Sequence, residues 1–414
     1  MPSHQDIPDL LQVVSEGPAR PIAAGPCLSR RQWLGFGIVC SAVGLVAWAF
    51  YLWAFHGDPG QDWMVFYTAA RAYFDGNLPL IFDGDRLTAA LNQRFGGWLA
   101  FTLNLHPWVY PPFFLLLFLP FGFLPPVASF AVFQLTGFIA ALAAAGHYVG
   151  RGIARWIVAF TLVLCPAVPF NVMTGQNAFF TSALLVGGFG LLGRYPVLAG
   201  VLLGVLTFKP QLWLMVPVAL LAARQWRALC STAVTALVLV AASLAVFGPG
   251  IWQAWIGLLT GGDTAYNAWV VNGRLNGLSV FACVSIAGAP RAVANLVQAA
   301  AVFMAAGVVY WVYRREVAGL LPLAALLAAT MLAAPHASAS DAVMLGLAAA
   351  MFVAAPRRAA LRTAELALAV AVWISPLLNP PSVFRAGCFT PVLTLLLLAA
   401  IVTAMRQREL PVKT

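Results

Sequence analysis

Five aspartates lie close together in a chain that is otherwise poor in acids. The chain has 13 acidic residues among 414, and five of them fall within 28 positions: Asp58, Asp62, Asp75, Asp83 and Asp85. Asp62 follows the first apolar segment, at the predicted lipid–water boundary, where ionisable groups are by default functional candidates. A carboxylate there can act as a general base, although capping the N-terminus of a helix over 61–75 is an alternative role.

Lys209 lies in the middle of an apolar stretch, 196–223, and is followed by Pro210. A lysine at the centre of a membrane span costs at least ~2.5 kcal/mol, so it should face a cavity or a partner. Proline removes a backbone hydrogen bond and breaks or kinks the helix. Two interpretations stay open: a cation that binds an anionic lipid headgroup or phosphate, or a lysine that snorkels from the tip of a short hairpin.

His336 and Asp341 lie five residues apart in the short turn PHASASD, at the edge of a predicted span. They can share one binding site, or they can be an interfacial histidine and a helix-capping aspartate. The spacing also fits the H-x4-D pattern of glycerolipid acyltransferases, in which the histidine is the base and the aspartate orients it. That pattern is short and has little specificity by itself.

Other polar side chains interrupt apolar segments. Tyr110 precedes two prolines that open a predicted span, and Gln176 and Asn177 follow Gly175 at a helix boundary. Amides can bond the hydroxyls of a sugar, or they can satisfy a broken helix end. Arg274 offers hydrogen-bond donors in a polar loop. These residues are candidates for binding a substrate or its phosphate.

Composition identifies the class of protein that must position these residues. The chain is 62% hydrophobic and 9% charged, with a mean hydropathy of +0.88, whereas soluble domains carry about 25% charged residues. We therefore expect a polytopic membrane protein. The net charge of +10 is not arranged in a basic stripe, so we expect no nucleic-acid partner. The six cysteines show no CxxC spacing and predict neither a disulfide framework nor a metal site.

The expected fold is all-α, with about twelve membrane-spanning helices between residues 33 and 405. The candidate spans are 33–55, 108–124, 126–149, 155–171, 177–193, 196–223, 228–248, 293–313, 318–334, 341–355, 360–378 and 388–404. Residues 1–32 and 406–414 are predicted to be cytoplasmic tails, the first of them disordered. The segments 56–107 and 249–292 are too polar to cross and form two outer loops, the first with amphipathic helices lying along the membrane surface.

Positive charges predict the orientation. With the N-terminus in the cytoplasm and twelve crossings, the C-terminal half follows the positive-inside rule. Three arginines of the N-terminal half then fall outside, namely Arg151, Arg155 and Arg194. Either one short segment there is re-entrant or a boundary is misplaced. The two polar loops and the turn 334–341 all emerge on the outer face.

The order of these motifs resembles glycosyltransferase family 87, of the GT-C class of integral-membrane enzymes. The resemblance rests on six elements over about 33–345: DWMVFYTAARAYFDG (62–76), YPP (110–112), GQNAFF (175–180), KPQ followed by ARQWR (209–211 and 223–227), NGLS (276–279) and PHASASD (335–341). The family implies a GT-C-like bundle that moves a sugar, such as mannose or another hexose or pentose, from a polyprenyl-phosphate carrier. The acceptor is a hydroxyl of a lipid-linked or envelope glycan at the outer face of a bacterial inner membrane, and the anomeric carbon is inverted.

That chemistry gives each candidate residue a role. Asp62 is the expected general base, and Lys209 or Arg274 the cation that stabilises the departing lipid phosphate without a metal or cofactor. His336, with Asp341, is expected to bond the phosphate or the acceptor. Two rival functions remain: a membrane transporter that uses Lys209 and Asp341, and an acyltransferase built on His336 and Asp341. A non-catalytic scaffold for envelope assembly is a third reading.

Overall fold

The computed structural model is all-helical in the residues that it describes, which are 28–56, 58–99, 101–260, 277–356, 361–378 and 389–409. The helices up to Lys209 are α1 (Arg30–Ala54), α2 (Gln61–Phe74), α3 (Gly84–Phe95), α4 (Pro112–Gly122), α5 (Pro126–Val149), α6 (Ile153–Val163), α7 (Ala167–Thr174), α8 (Ala178–Leu191) and α9 (Pro196–Val205). Those after it are α10 (Pro210–Trp213), α11 (Met215–Ala222), α12 (Trp226–Phe247), α13 (Pro249–Thr260), α14 (Val280–Ile286), α15 (Arg291–Tyr313), α16 (Leu320–Ala333), α17 (Val343–Ala354), α18 (Thr363–Ile374) and α19 (Phe389–Glu409). Four short 3-10 helices adjoin them, at Leu78–Phe82, Leu206–Phe208, Ala339–Ala342 and Ser375–Leu378.

Every predicted span contains at least one helix, so the prediction of an all-α fold is confirmed for the described residues. Five helices of the described chain are long and apolar enough to cross a membrane, and α6 with α7 forms a sixth candidate that is bent by 48°. The remaining apolar helices are shorter. The count of twelve crossings is not confirmed.

The bundle has two ends that differ in charge. At the first, which we name the arginine end, lie Arg30, Arg224, Arg314, Arg362 and Arg406, all at helix termini. Gln32 bonds Leu361 O there at 3.0 Å. At the second, which we name the aspartate end, lie Asp62 and Asp341. Gly60 N donates to Met173 O there at 2.7 Å.

Helix α4 does not cross the bundle, so the prediction of a span over 108–124 is wrong. Near its start, Tyr110 packs on Phe66 of α2 with ring centroids 5.3 Å apart. Just after the end of α4, Leu124 O accepts a hydrogen bond at 2.9 Å from Tyr67, which also belongs to α2. Because α2 lies at the aspartate end, both ends of α4 lie there too. Eleven residues span about 16 Å, roughly half the hydrocarbon core.

The stretch 196–223 does not cross either, because α9 and α12 run parallel. Ser231 donates to Val197 O at 2.8 Å, and farther along both helices Gly204 lies against Thr235. The chain between them must therefore leave the arginine end and return to it. It forms a re-entrant hairpin of two half-helices, 196–208 and 210–222, with Lys209 at its tip. The hairpin is as expected, but Lys209 does not snorkel from its tip, because the side chain is only 5% exposed.

These two corrections explain the misplaced arginines. Helix α5 now starts at the aspartate end, where Phe130 packs on Trp63 at 5.4 Å. It ends at the arginine end, where Tyr148 donates to Gly319 O at 2.8 Å. Arg151, Arg155 and Arg194 therefore join the other arginines. Two predicted crossings, 108–124 and 196–223, are absent. Because removing two crossings leaves the later segments on the same sides, the orientation predicted after residue 223 is unaffected.

Two apolar clusters hold the bundle together. The larger one is centred on α16 and α17, whose residues are all buried except Leu320. The smaller one lies at the aspartate end and is largely aromatic, with Trp63, Phe66, Trp108 and Phe118 fully buried. It packs α2 and α4 against the bundle, so the first polar loop has an apolar core of its own.

This topology predicts that Arg151 and Asp85 face opposite sides of the membrane. Arg151→Cys and Asp85→Cys, both at exposed positions, should react with a membrane-impermeant maleimide from opposite sides of sealed vesicles. Arg314→Cys should react from the same side as Arg151→Cys, and the unsubstituted protein gives the background of native cysteines. Labelling of residues 151 and 85 from one side would restore α4 as a crossing helix.

Candidate active site

Asp62 lies in the first turn of α2 and pairs with a histidine. His106 Nε2 is 2.9 Å from Asp62 Oδ1, and the two side chains are 20% and 25% exposed. Asp62 Oδ2 has no hydrogen-bond partner within the described part of the chain. Gly60, not Asp62, is the N-cap of α2, so the capping alternative for Asp62 is wrong. One oxygen is held and the other is left for a ligand.

Lys209 and Asp341 form a buried ion pair. Lys209 Nζ is 2.6 Å from Asp341 Oδ1, and the side chains are only 5% and 2% exposed. Asp341 Oδ2 accepts a hydrogen bond from Ser338 N at 3.1 Å, which ties the pair to the turn before α17. Asp341 is thus directed at the tip of the re-entrant hairpin. Desolvation of two charges is costly, so this pair requires close geometry.

Tyr110 lies near both charged pairs. Its hydroxyl donates to Gln176 Oε1 at 3.1 Å, and the side chain lies in the extended segment that precedes α4. Burial raises the pKa of Tyr110, the positive charge of Lys209 opposes that rise, and Asp62 and Asp341 add to it. The phenol therefore stays protonated, and the acceptor of its hydrogen bond is Gln176 Oε1 rather than either carboxylate.

A group of buried amides surrounds Gly175. Asn171 Nδ2 donates to Gln134 Oε1 at 3.0 Å, and Gln134 Nε2 donates to Gln176 O at 3.2 Å. Asn177 lies beside Tyr110 but is completely buried, and neither of its side-chain polar atoms has a well-formed hydrogen bond among the described residues. A buried amide without partners is costly, so Asn177 is suited to accept and donate hydrogen bonds to a ligand.

His336 lies on the turn that carries Asp341. The neighbouring Ala337 O accepts a hydrogen bond from Leu278 N at 2.8 Å, so the described part of the second polar loop joins this turn. Arg274 of that loop lies outside the described residues. The expectation that the polar loops and the turn meet at one end is met for residues 60–99, 101–110, 278 and 336–341.

Sequence reasoning missed His106, Gln134 and Asn171. Gln134 and Asn171 are amides inside apolar helices, and that signal alone marks candidates for a polar interior site. His106 carries no such signal, because its partner is 44 positions away and only the fold brings them together.

A family model described as glycosyltransferase family 87 matches residues 108–335 of the chain, which is more than half of it. The matched segment includes Tyr110, Gln176, Asn177 and Lys209; Asp62 and His106 precede it, and His336 and Asp341 follow it. No curated protein and no solved structure matches the chain.

Gly175 allows the close approach on which this site depends. Its φ is +72°, and a Cβ there would be 2.7 Å from Trp63 Cβ and 2.8 Å from Gly60 Cα. Gly175→Ala should push α2 and Asp62 away from Gln176, with loss of activity and of thermal stability. Gly76→Ala is the matched control, because Gly76 has the same φ but no atom within 4 Å of its Cβ position.

In the control, Gly76→Ala, the free energy of unfolding should fall only by the roughly 1–2 kcal/mol that the left-handed conformation costs an alanine. Thermal unfolding and sugar-transfer activity of both variants in the same nanodiscs provide the test. Equal losses in the two would show that the approach of Gly175 to Trp63 is unimportant.

The ion pair predicts non-additive stability. Lys209→Met alone leaves a buried carboxylate without its partner and should destabilise the protein by about 3–5 kcal/mol. Lys209→Met combined with Asp341→Leu removes both charges and should recover most of that loss. Thermal unfolding of the single and double variants measures the coupling. Additive losses would contradict the pairing.

Proposed function

This chain belongs to glycosyltransferase family 87, and we propose that it transfers a sugar from a polyprenyl-phosphate carrier to a hydroxyl of a lipid-linked or envelope glycan. The sugar is mannose or another hexose or pentose. The observation that carries the proposal is the placement of one open carboxylate, on Asp62, in the same site as one buried cation, on Lys209. An inverting transfer needs a base for the acceptor and a positive charge for the leaving phosphate.

Asp62 acts as the general base. Its free Oδ2 takes the proton of the acceptor hydroxyl while the acceptor oxygen bonds the anomeric carbon from the face opposite the carrier. The bond between that carbon and the phosphate oxygen breaks, and its electron pair leaves with the lipid phosphate. Inversion follows from this single displacement.

Lys209 stabilises the charge that develops on the phosphate. Asp341 neutralises and orients the ammonium group in the absence of a donor, and the lipid phosphate shares it when bound. Arg274 and His336 assist at the phosphate or the acceptor. Tyr110, Gln176 and Asn177 bond the hydroxyls of the sugar, for which Asn177 offers a donor and an acceptor. No metal or cofactor takes part in this proposal.

The site faces the outside of a bacterial inner membrane. The arginines gathered at the arginine end favour a cytoplasmic location for that end, which leaves the aspartate end outside. Cys283, next to the aspartate end, is disulfide-bonded, in contrast to the prediction of no disulfide framework. Disulfides persist in oxidising compartments, which supports the same orientation.

The rival functions have less support. The transporter interpretation has no family match to favour it. The acyltransferase interpretation needs Asp341 to orient His336, whereas the oxygens of Asp341 are occupied by Lys209 Nζ and Ser338 N.

Asp62→Asn should lower the rate of transfer by purified protein about 10²–10⁴-fold, the effect of removing a general base. The assay offers radiolabelled polyprenyl-phosphate mannose, arabinose and glucose, with a membrane lipid extract as acceptor. Asp85→Asn is the control, because Asp85 is exposed in the first turn of α3 and should keep full activity. Near-normal transfer by folded Asp62→Asn would overturn the role of Asp62.

A further inference from the structure

We propose that His106 is the residue that positions the catalytic base: its imidazole holds Asp62 Oδ1 so that Oδ2 faces the acceptor hydroxyl. This inference rests on the proposed function and adds a residue that neither the sequence motifs nor the family match includes. The matched segment begins two residues after it, at position 108. The distance from His106 Nε2 to Asp62 Oδ1 is 2.9 Å.

The direction of the hydrogen bond follows from the chemistry of the pair. An ionised carboxylate only accepts hydrogen bonds, so Nε2 must carry the proton and donate it to Oδ1. That bond fixes the carboxylate in one rotamer. It leaves the proton-accepting electron pairs of Oδ2 free, which is the arrangement a general base needs.

The segment that carries His106 is anchored on both sides of it. Asn92 of α3 bonds Leu103 twice, with its Nδ2 donating to Leu103 O and its Oδ1 accepting from Leu103 N, both at 2.9 Å. The backbone N–H of His106 donates to Thr88 Oγ1 at 2.9 Å. On the other side, the fully buried Trp108 donates from Nε1 to Tyr110 O at 2.6 Å.

This anchoring explains why a loop can place an imidazole accurately. Helix α3 holds the segment through side-chain bonds to its backbone, and Trp108 is packed on Phe66 of α2 at 6.1 Å. The first polar loop therefore brings His106 and Asp62 together as one rigid unit. The loop is then part of the catalytic machinery and not only a surface cover.

The expected signature of positioning is a loss in turnover rather than in donor affinity. His106→Leu should lower kcat by about 100-fold, the size of effect expected when a reacting group is misplaced by about 1 Å, with KM for the lipid-linked donor nearly unchanged. His106→Gln can present an N–H close to the position of Nε2 and should stay within about tenfold of the wild type. His147→Leu, at the arginine end of α5, is the matched control and should keep full activity.

The experiment measures kcat and KM of these variants in nanodiscs, with the donor sugar that the wild type transfers, and includes Asp62→Asn and Asp62→Asn/His106→Leu. If His106 acts through Asp62, the double variant is no slower than Asp62→Asn alone. Thermal unfolding of each variant confirms that equal amounts of folded protein are compared.

The outcomes separate the two proposals. An inactive Asp62→Asn with a normal His106→Leu overturns the role of His106 and leaves the proposed function standing. Loss in His106→Leu that appears in KM, or that adds to the loss of Asp62→Asn, also overturns it. Absence of transfer by the wild type from every carrier offered overturns the proposed function, and the role of His106 with it.

Discussion

The buried ion pair between Lys209 and Asp341 is the interaction on which the aspartate end depends. Two charges that are almost fully removed from solvent carry a desolvation penalty of several kcal/mol each, and only close contact with satisfied hydrogen bonds offsets it. The pair therefore constrains two segments that are 132 positions apart to meet. One is the tip of the re-entrant hairpin and the other is the turn between α16 and α17.

The hairpin and the two central helices are shaped by this requirement. A lysine in the middle of a through-going helix would lie among apolar side chains. At the tip of two half-helices it reaches the aspartate end instead, and Pro210 at the start of α10 supplies the break. The buried helices α16 and α17 carry no charged side chain, so the turn between them presents Asp341 to Lys209. Tyr110 lies near this pair and near Asp62, and its hydroxyl donates to Gln176 Oε1 beside Gly175.

The sequence predicts the helices well and their crossings less well. Hydropathy reports how long an apolar stretch is, not where its two ends lie, so it predicts a span both for α4 and for the hairpin. Arg151, Arg155 and Arg194 indicate the correct topology, because the positions of positive charges predict the side of the membrane better than the length of apolar stretches does. Only contacts such as Tyr67 to Leu124 locate the ends.

The sequence likewise predicts some of the site residues but not the contacts between them. Asp62, Lys209 and Asp341 are predictable because a charge at the edge or middle of an apolar segment is costly and needs a reason. The partners of these residues are not predictable. The spacing in the sequence suggests that Asp341 pairs with His336, whereas its oxygens bond Lys209 Nζ and Ser338 N. His106 was missed because nothing near it in the chain is unusual; its role depends on how α3 anchors the segment 103–106.

The most direct test of the account is a structure of the protein with a polyprenyl phosphate bound in nanodiscs. The account predicts the phosphate within hydrogen-bonding distance of Lys209 Nζ, at the aspartate end, with the face opposite the carrier open to Asp62 Oδ2. A phosphate bound at the arginine end, or at the aspartate end but beyond reach of both Lys209 and Asp62, would contradict it.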